Sequence, residues 1–244
     1  MCFHTSLTAT PKQLAARYKR RDDLIRDFRP AYHIAAFSYP VYPVVTEDEE
    51  LQPYKWGLIP YWVRTPQDAR EIRNKTLNAR SESVFDKPSY RGAIRTRRCL
   101  VPCTGFFDWR HDKGRKIPYY ITVPAESIFS LAGLYDEWDN PDTGETLRTF
   151  SIITGPANEL MSYIHNTNRR MPMVLKPEAE NRWLDPDLGE EQIAALLRPV
   201  ASREMEAWPI RNDFLRKSPY DPSILEESGE ETPLFGAFTS KTAK

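Results

Sequence analysis

The chain has 244 residues, 40% of them hydrophobic, and its 34 basic and 34 acidic side chains leave no formal net charge. That size fits one domain with a substantial core, and the balance excludes a protein that holds nucleic acid by bulk charge alone. No apolar run approaches the roughly 18 residues of a membrane-spanning helix, and the opening MCFHTSLTATPKQL lacks a hydrophobic signal core, so a cytoplasmic protein is expected. In chain order, Thr10 is placed to cap a helix over 11–20 with Pro11 at its first position. Strands are predicted at 41–46, 55–60, 99–102, 106–109, 118–123, 128–134 and 148–154. DNPDTG at 139–144 reads as a hairpin turn. Helices are expected at 157–164, 177–184 and 190–197. Short strands with helices between and after them predict an α+β domain on a curved or barrel-like sheet. One domain is drawn over residues 1–213, with 214–244 as a polar, acidic extension holding Glu226, Glu227, Glu230 and Glu231.

Cys2 directly follows the initiator methionine. Removal of Met1 would leave a thiol and an α-amine on adjacent carbons. The amine has an ordinary pKa of about 7.7–8.0, so a fraction is neutral at pH 7 and can attack an aldehyde. The thiol can then close onto the imine as a five-membered thiazolidine. A 1,2-aminothiol is thus an aldehyde trap and an N-terminal nucleophile; a small buried cysteine would read the same. Cys99 and Cys103 lack the spacing and companions of a zinc site and are read as structural, and three cysteines make no disulfide framework. Charge is uneven along the chain. RGAIRTRR gathers Arg91, Arg95, Arg97 and Arg98, and Arg169 and Arg170 form a second pair. A basic face suited to a phosphate backbone or a set of solvated strand edges would both give this pattern.

Five motifs occur in order: MCFH at the start, WGLIPYW at 56–62, TLNARSES at 76–83, CLVPCTGFFDW at 99–109 and YIHNTNRRMPMVL at 163–175. Together they resemble the SRAP family, the SOS-response-associated peptidases or abasic-site processing proteins. MCFH and IHNTNRRMP are closest to the subgroup of Bacteroidetes-type bacteria. The resemblance implies an SRAP-type fold that loses Met1 and couples Cys2 to abasic sites in single-stranded DNA through a thiazolidine. It implies neither cofactor nor metal, and a monomer is expected. By position, the active-site asparagine is Asn78, the acid Asp108 and the histidine His165. Asn78 would hold the amine or a sugar oxygen, His165 would shuttle a proton, and Asp108 would deprotonate the amine or protonate departing water. Arg80, with Arg169 or Arg170, is expected on phosphate, Trp109 on a base and Thr154 on a backbone oxygen. Trp62 is a second stacking candidate, whereas Trp56 and Tyr61 are expected in the core.

Three departures from the commoner family pattern stand out. Asp108 replaces a glutamate, drawing the carboxylate back by about 1.5 Å. Phe3-His4 replaces Gly-Arg, and His33-Ile34-Ala35-Ala36 replaces Asn-x-Ala-Pro. Two other functions fit an N-terminal cysteine: a glutaminase-like amide hydrolase, for which no glycine-rich oxyanion segment is found, and a non-catalytic binder of single-stranded DNA.

Overall fold

The structure is a computed structural model and describes residues 2–229. Its elements run β1 (His4–Leu7), α1 (Pro11–Tyr18), β2 (Ala31–Ala35), β3 (Val41–Val44), β4 (Gln52–Trp56), α2 (Pro66–Arg73), β5 (Asn78–Arg80) and α3 (Ala93–Thr96). There follow β6 (Arg98–Cys103), β7 (Gly105–Asp112), β8 (Arg115–Thr122), β9 (Phe129–Asp139), β10 (Thr146–Pro156) and α4 (Glu159–Ile164). The last are β11 (Arg170–Pro172), β12 (Val174–Leu175), α5 (Pro177–Leu184), α6 (Glu190–Leu196) and β13 (Glu206–Pro209). The α+β class is the one the sequence predicts. The strands divide between a five-stranded sheet, ordered β13-β8-β7-β1-β2, and an eight-stranded sheet centred on β9 and β10. No helix among the described residues is long and apolar enough to cross a membrane.

Local chemistry sets the boundaries. Thr10 caps α1 through Gln13 in a reciprocal capping box, and Lys19 ends the helix by turning left-handed at φ 51°. The helix therefore stops two residues short of the expected Arg20. The β7–β8 hairpin turns on Lys113 and Gly114, both at positive φ (46° and 82°), as a two-residue loop matching the strand twist requires. β4 ends at Trp56 because Gly57 takes φ 106°, and a Cβ there would lie 2.7 Å from Arg73 Cγ. The strand expected to continue to Pro60 thus leaves the sheet. Leu58 and Ile59 stay buried, but Tyr61, expected in the core, is 63% exposed beside Trp62. Trp56 is fully buried as predicted and stacks on Phe150 at 5.7 Å.

The chain does not leave the domain at Asp213. Phe214 is buried and stacks on Phe107 at 5.1 Å with ring planes 12° apart. Ile224 is buried too, and Trp208 donates its indole N–H to the Leu225 carbonyl at 2.8 Å. Glu226 and Glu227 lie in this packed stretch; Glu230 and Glu231 lie outside the described residues.

Candidate active site

Cys2 lies two residues before the first residue of β1, which pairs antiparallel with β7 through Thr5↔Phe106 and Ser6↔Gly105. That register brings the start of the chain alongside Asp108. Side chains alternate along a strand, and on β7 Phe106 joins the main core with Cys2, while Phe107 and Trp109 join a smaller cluster with Phe214. Asp108 therefore points toward the side of the sheet that holds Cys2, and Trp109 away from it.

The third group arrives from α4. Asn158 caps this helix by accepting from Met161 N, and His165 closes it. Beyond it, Asn166 pairs with the backbone of His111 on β7, its amide oxygen accepting at 3.1 Å and its amide nitrogen donating at 2.8 Å. Arg110 adds a bond to the Tyr163 carbonyl at 2.6 Å and lies 3.8 Å over the Tyr163 ring. These contacts dock the end of α4 on β7 and set His165 Nδ1 3.5 Å from Asp108 Oδ2. Nδ1 is also 3.0 Å from the Arg170 carbonyl. Asn166 and Arg110 were not singled out from sequence, although Asn166 stands inside the IHNTNRRMP motif.

Burial dominates the electrostatics. Cys2 is 1% exposed, and desolvation holds its thiol well above the usual range, with Cys103 and Asp108 pushing the same way. Asp108 is 5% exposed. Desolvation raises its pKa against the opposing pull of His165 and of the Trp109 N–H, which donates to Oδ1 at 2.9 Å. A carboxyl in that position takes up a proton more readily than a surface aspartate. Cys2, Asp108 and His165 thus form one buried constellation.

Asn78 comes from the other sheet. β5 runs parallel to β10 with Asn78 opposite Ile152 and Arg80 opposite Thr154, and Tyr90 donates its hydroxyl to the Asn78 carbonyl at 3.0 Å. Both polar atoms of the Asn78 side chain are buried without a hydrogen-bond partner. The amide is bonded to none of the other three residues. Buried unsatisfied amides are rare and costly, and this one is available to a ligand.

Two residues expected on DNA are occupied inside the protein instead. Thr154 is fully buried, its hydroxyl donating to the Ala79 carbonyl at 3.3 Å. Arg170 is 8% exposed; it forks onto Glu82 at 2.5 and 2.9 Å and donates to the Thr154 carbonyl at 2.7 Å. Arg80 and Arg169 are exposed, Arg169 in the left-handed region at φ 50°. Trp109 is half-buried, edge-on to His4 at 5.0 Å. The basic run 91–98 is not one face: Arg98 is buried and donates to the Trp183 and Ile94 carbonyls, and Arg97 pairs with Asp136 at 3.2 Å.

A family model described as SOS response associated peptidase (SRAP) matches residues 1–216. The chain belongs to the SRAP family. Among its relatives is the abasic site processing protein YoqW of Bacillus subtilis, 33% identical over 204 residues, covering 82% of this chain and 87% of YoqW. The abasic site processing protein HMCES of Xenopus tropicalis is 33% identical over 175 residues, or 64% of this chain and 51% of HMCES. A crystal structure of a Bacteroides thetaiotaomicron protein superimposes with a TM-score of 0.92 at 50% identity, covering 93% of this chain and all of that one. A Bordetella bronchiseptica structure shares the fold at 20% identity with a TM-score of 0.73.

Proposed function

We propose that this SRAP protein processes abasic sites in DNA, and that it does so by trapping the ring-opened sugar aldehyde on Cys2 in single-stranded DNA. Once Met1 has been hydrolysed away, the Cys2 amine attacks C1′ and water leaves to give an imine. The thiol then adds across the C=N bond, its proton passing to nitrogen, and the thiazolidine closes. The sum is a condensation that releases one water, with no redox change. The observation that carries this reading is the buried set of Cys2, Asp108 and His165 in a chain whose relatives are named for abasic-site processing.

The electrostatics favour the amine as the first nucleophile. A thiol raised by burial is protonated at neutral pH, which suits a group that adds second and gives its proton to nitrogen. It does not suit an amide hydrolase that must begin from thiolate. Asp108, with its raised pKa, can take a proton from the amine and return it to the departing hydroxyl. His165 can move a proton on the sugar as the ring opens or the adduct reverses. Asn78 supplies an amide with both atoms unpaired to orient the amine or the sugar oxygen. Self-removal of Met1 is a separate peptide hydrolysis that precedes the condensation, and incision of the strand is a side reaction that follows from the imine.

Intact mass before and after incubation with a single-stranded oligonucleotide carrying one abasic site tests this directly. The expected result is a chain beginning at Cys2 and a denaturant-stable adduct one water lighter than its two components, absent with undamaged DNA. A chain that begins at Cys2 and yet makes no adduct overturns the reading.

A further inference from the structure

Four of the seven large hydrophobic side chains exposed among the described residues fall in one place. Leu24, Val41, Leu215 and Tyr220 line a groove of about 680 Å³. That volume lies within the roughly 300–1,000 Å³ of sites that take small organic groups. A cluster of this kind marks a binding surface where singly scattered apolar residues would not.

The groove borders the strand next to β1, the strand that follows Cys2. Its floor includes His33, Ile34 and Ala35 of β2, the neighbour of β1. His33 Nε2 is 2.8 Å from His4 Nδ1, and Ala36 N donates to the Phe3 carbonyl at 2.8 Å. Phe37 packs on Phe3 with ring centroids 5.0 Å apart. One residue separates Phe3 and His4 from the thiol at most. The far wall is built by residues 215–220, most of it beyond residue 216, where the family match ends. The charged residues of its lining are Arg29, Lys217 and Asp27; Lys217 donates to Ser223 Oγ at 2.6 Å and attracts Asp213 and Asp221, and the Arg29 guanidinium lies 4.1 Å over the Tyr220 ring. Cations beside exposed aromatic faces are what unpaired nucleotides require, one for phosphate and the other for the bases.

We infer that this groove holds unpaired bases of the DNA strand on one side of the lesion, with Tyr220 stacked on a base and Arg29 on phosphate. The inference rests on the proposed action on single-stranded DNA, and it gives that DNA a path along β2.

The test measures non-covalent affinity in Cys2→Ala protein for three strands: one with bases on both arms of the lesion, and one each with the bases of the 5′ or 3′ arm replaced by base-free spacers. Spacers in one arm only should weaken binding about tenfold, the size of a lost base–aromatic stack. Adding Tyr220→Ala should abolish that difference while leaving the spacer strand bound as before. Val41→Asp, at a 53% exposed position, should reduce the same difference by placing a negative charge in the groove. Equal affinity for all three strands overturns the inference, as does an equal loss on all three in the variants, or a dimer that the variants dissociate without any effect on DNA. Adduct formation by the protein with Cys2 intact is scored separately, so failure of the covalent chemistry leaves this result readable.

Discussion

Asp108 and Asp136 sit in pockets built to the same local plan. Each is a buried aspartate on a long strand, and each folds Oδ1 back to accept from the following backbone N–H, at 2.9 and 3.0 Å. In both, burial raises the pKa. Their partners separate them. Asp136 faces Arg97, at 3.2 Å, and the Tyr61 N–H, at 3.1 Å, a fixed cation and a fixed donor that commit it to the carboxylate. Asp108 faces the Cys2 thiol and the His165 ring, with no arginine or lysine among the described residues against it. Burial raises both carboxyls, and the presence or absence of a fixed cation separates the one that holds the fold from the one proposed to move a proton.

Cys2→Ala breaks the comparison most sharply, because it removes the group that Asp108 is proposed to serve. Adduct formation should fall to zero on a denaturing gel, while non-covalent affinity stays within about twofold, since a thiol against a hydrophobic wall contributes little beyond packing. Next in size is the paired exchange Asp108→Asn and Asp136→Asn. Loss of a positioned proton-transfer group costs about 10²–10⁴-fold in rate, so Asp108→Asn should slow adduct formation by at least 10²-fold in rapid-quench assays, and Asp136→Asn should not. Stability should move the other way. A carboxyl whose folded pKa is raised loses stability as pH climbs from its unfolded value to its folded one, so neutral Asn at 108 removes that cost, and the melting temperature at pH 7 should hold or rise. Asn at 136 removes the same burial cost but leaves the partly buried Arg97 without its carboxylate, so Asp136→Asn should be the less stable of the two variants. The wild-type rate should show a rising limb above the pH of about 4 set by an ordinary aspartate, and Asp108→Asn should flatten it.

His165→Gln should act on a later step. The ring lies against both Asp108 and the Arg170 carbonyl, and its removal should slow adduct reversal and strand incision by roughly tenfold or more while changing adduct formation less. Pulse-chase of the crosslink against excess unlabelled DNA separates the two rates. Unchanged reversal would make His165 a packing residue like its neighbour Ile164.

How far the sequence shows all this depends on what fixes each feature. Thr10-Pro11 announces α1, and Thr65-Pro66 carries the same signal for α2, with the Thr65 hydroxyl accepting from Asp68 N. α2 escapes notice because its polar sequence buries only Ala69 and offers no apolar stripe. β5 is three residues of Asn-Ala-Arg, a strand solely through its parallel pairing with β10, which no local pattern reveals. Cys2, Asp108 and His165 are legible as motif positions, and β-sheet register and the Asn166 clasp bring them together. Motif position says nothing about whether a cation is free. Arg169 and Arg170 are adjacent and chemically identical, yet one is exposed at positive φ and the other is locked on Glu82.

That lock yields the smallest effect. Glu82 is a third carboxylate beside the pair already compared, and its pKa is lowered to about 2, chiefly by the hydrogen bonds from Arg170. A depressed pKa stabilises the fold above the unfolded value of about 4.3, and that stability is lost as pH falls toward 2. The Glu82 side chain is 48% exposed, and water screens the pair, so Glu82→Gln should cost about 0.5 kcal/mol at pH 7. The same change frees Nη1 of Arg170, whose Nη2 still donates to the Thr154 carbonyl at 2.7 Å, at a point two residues along the chain from Arg80. If Glu82 restrains a cation at the DNA face, the variant should bind single-stranded DNA more tightly, and its log–log salt slope should steepen by up to about 0.7, the share of one added phosphate contact. An unchanged slope with the same small loss of stability would place Arg170 with Arg97 and Arg98, as an arginine whose whole role is inside the fold.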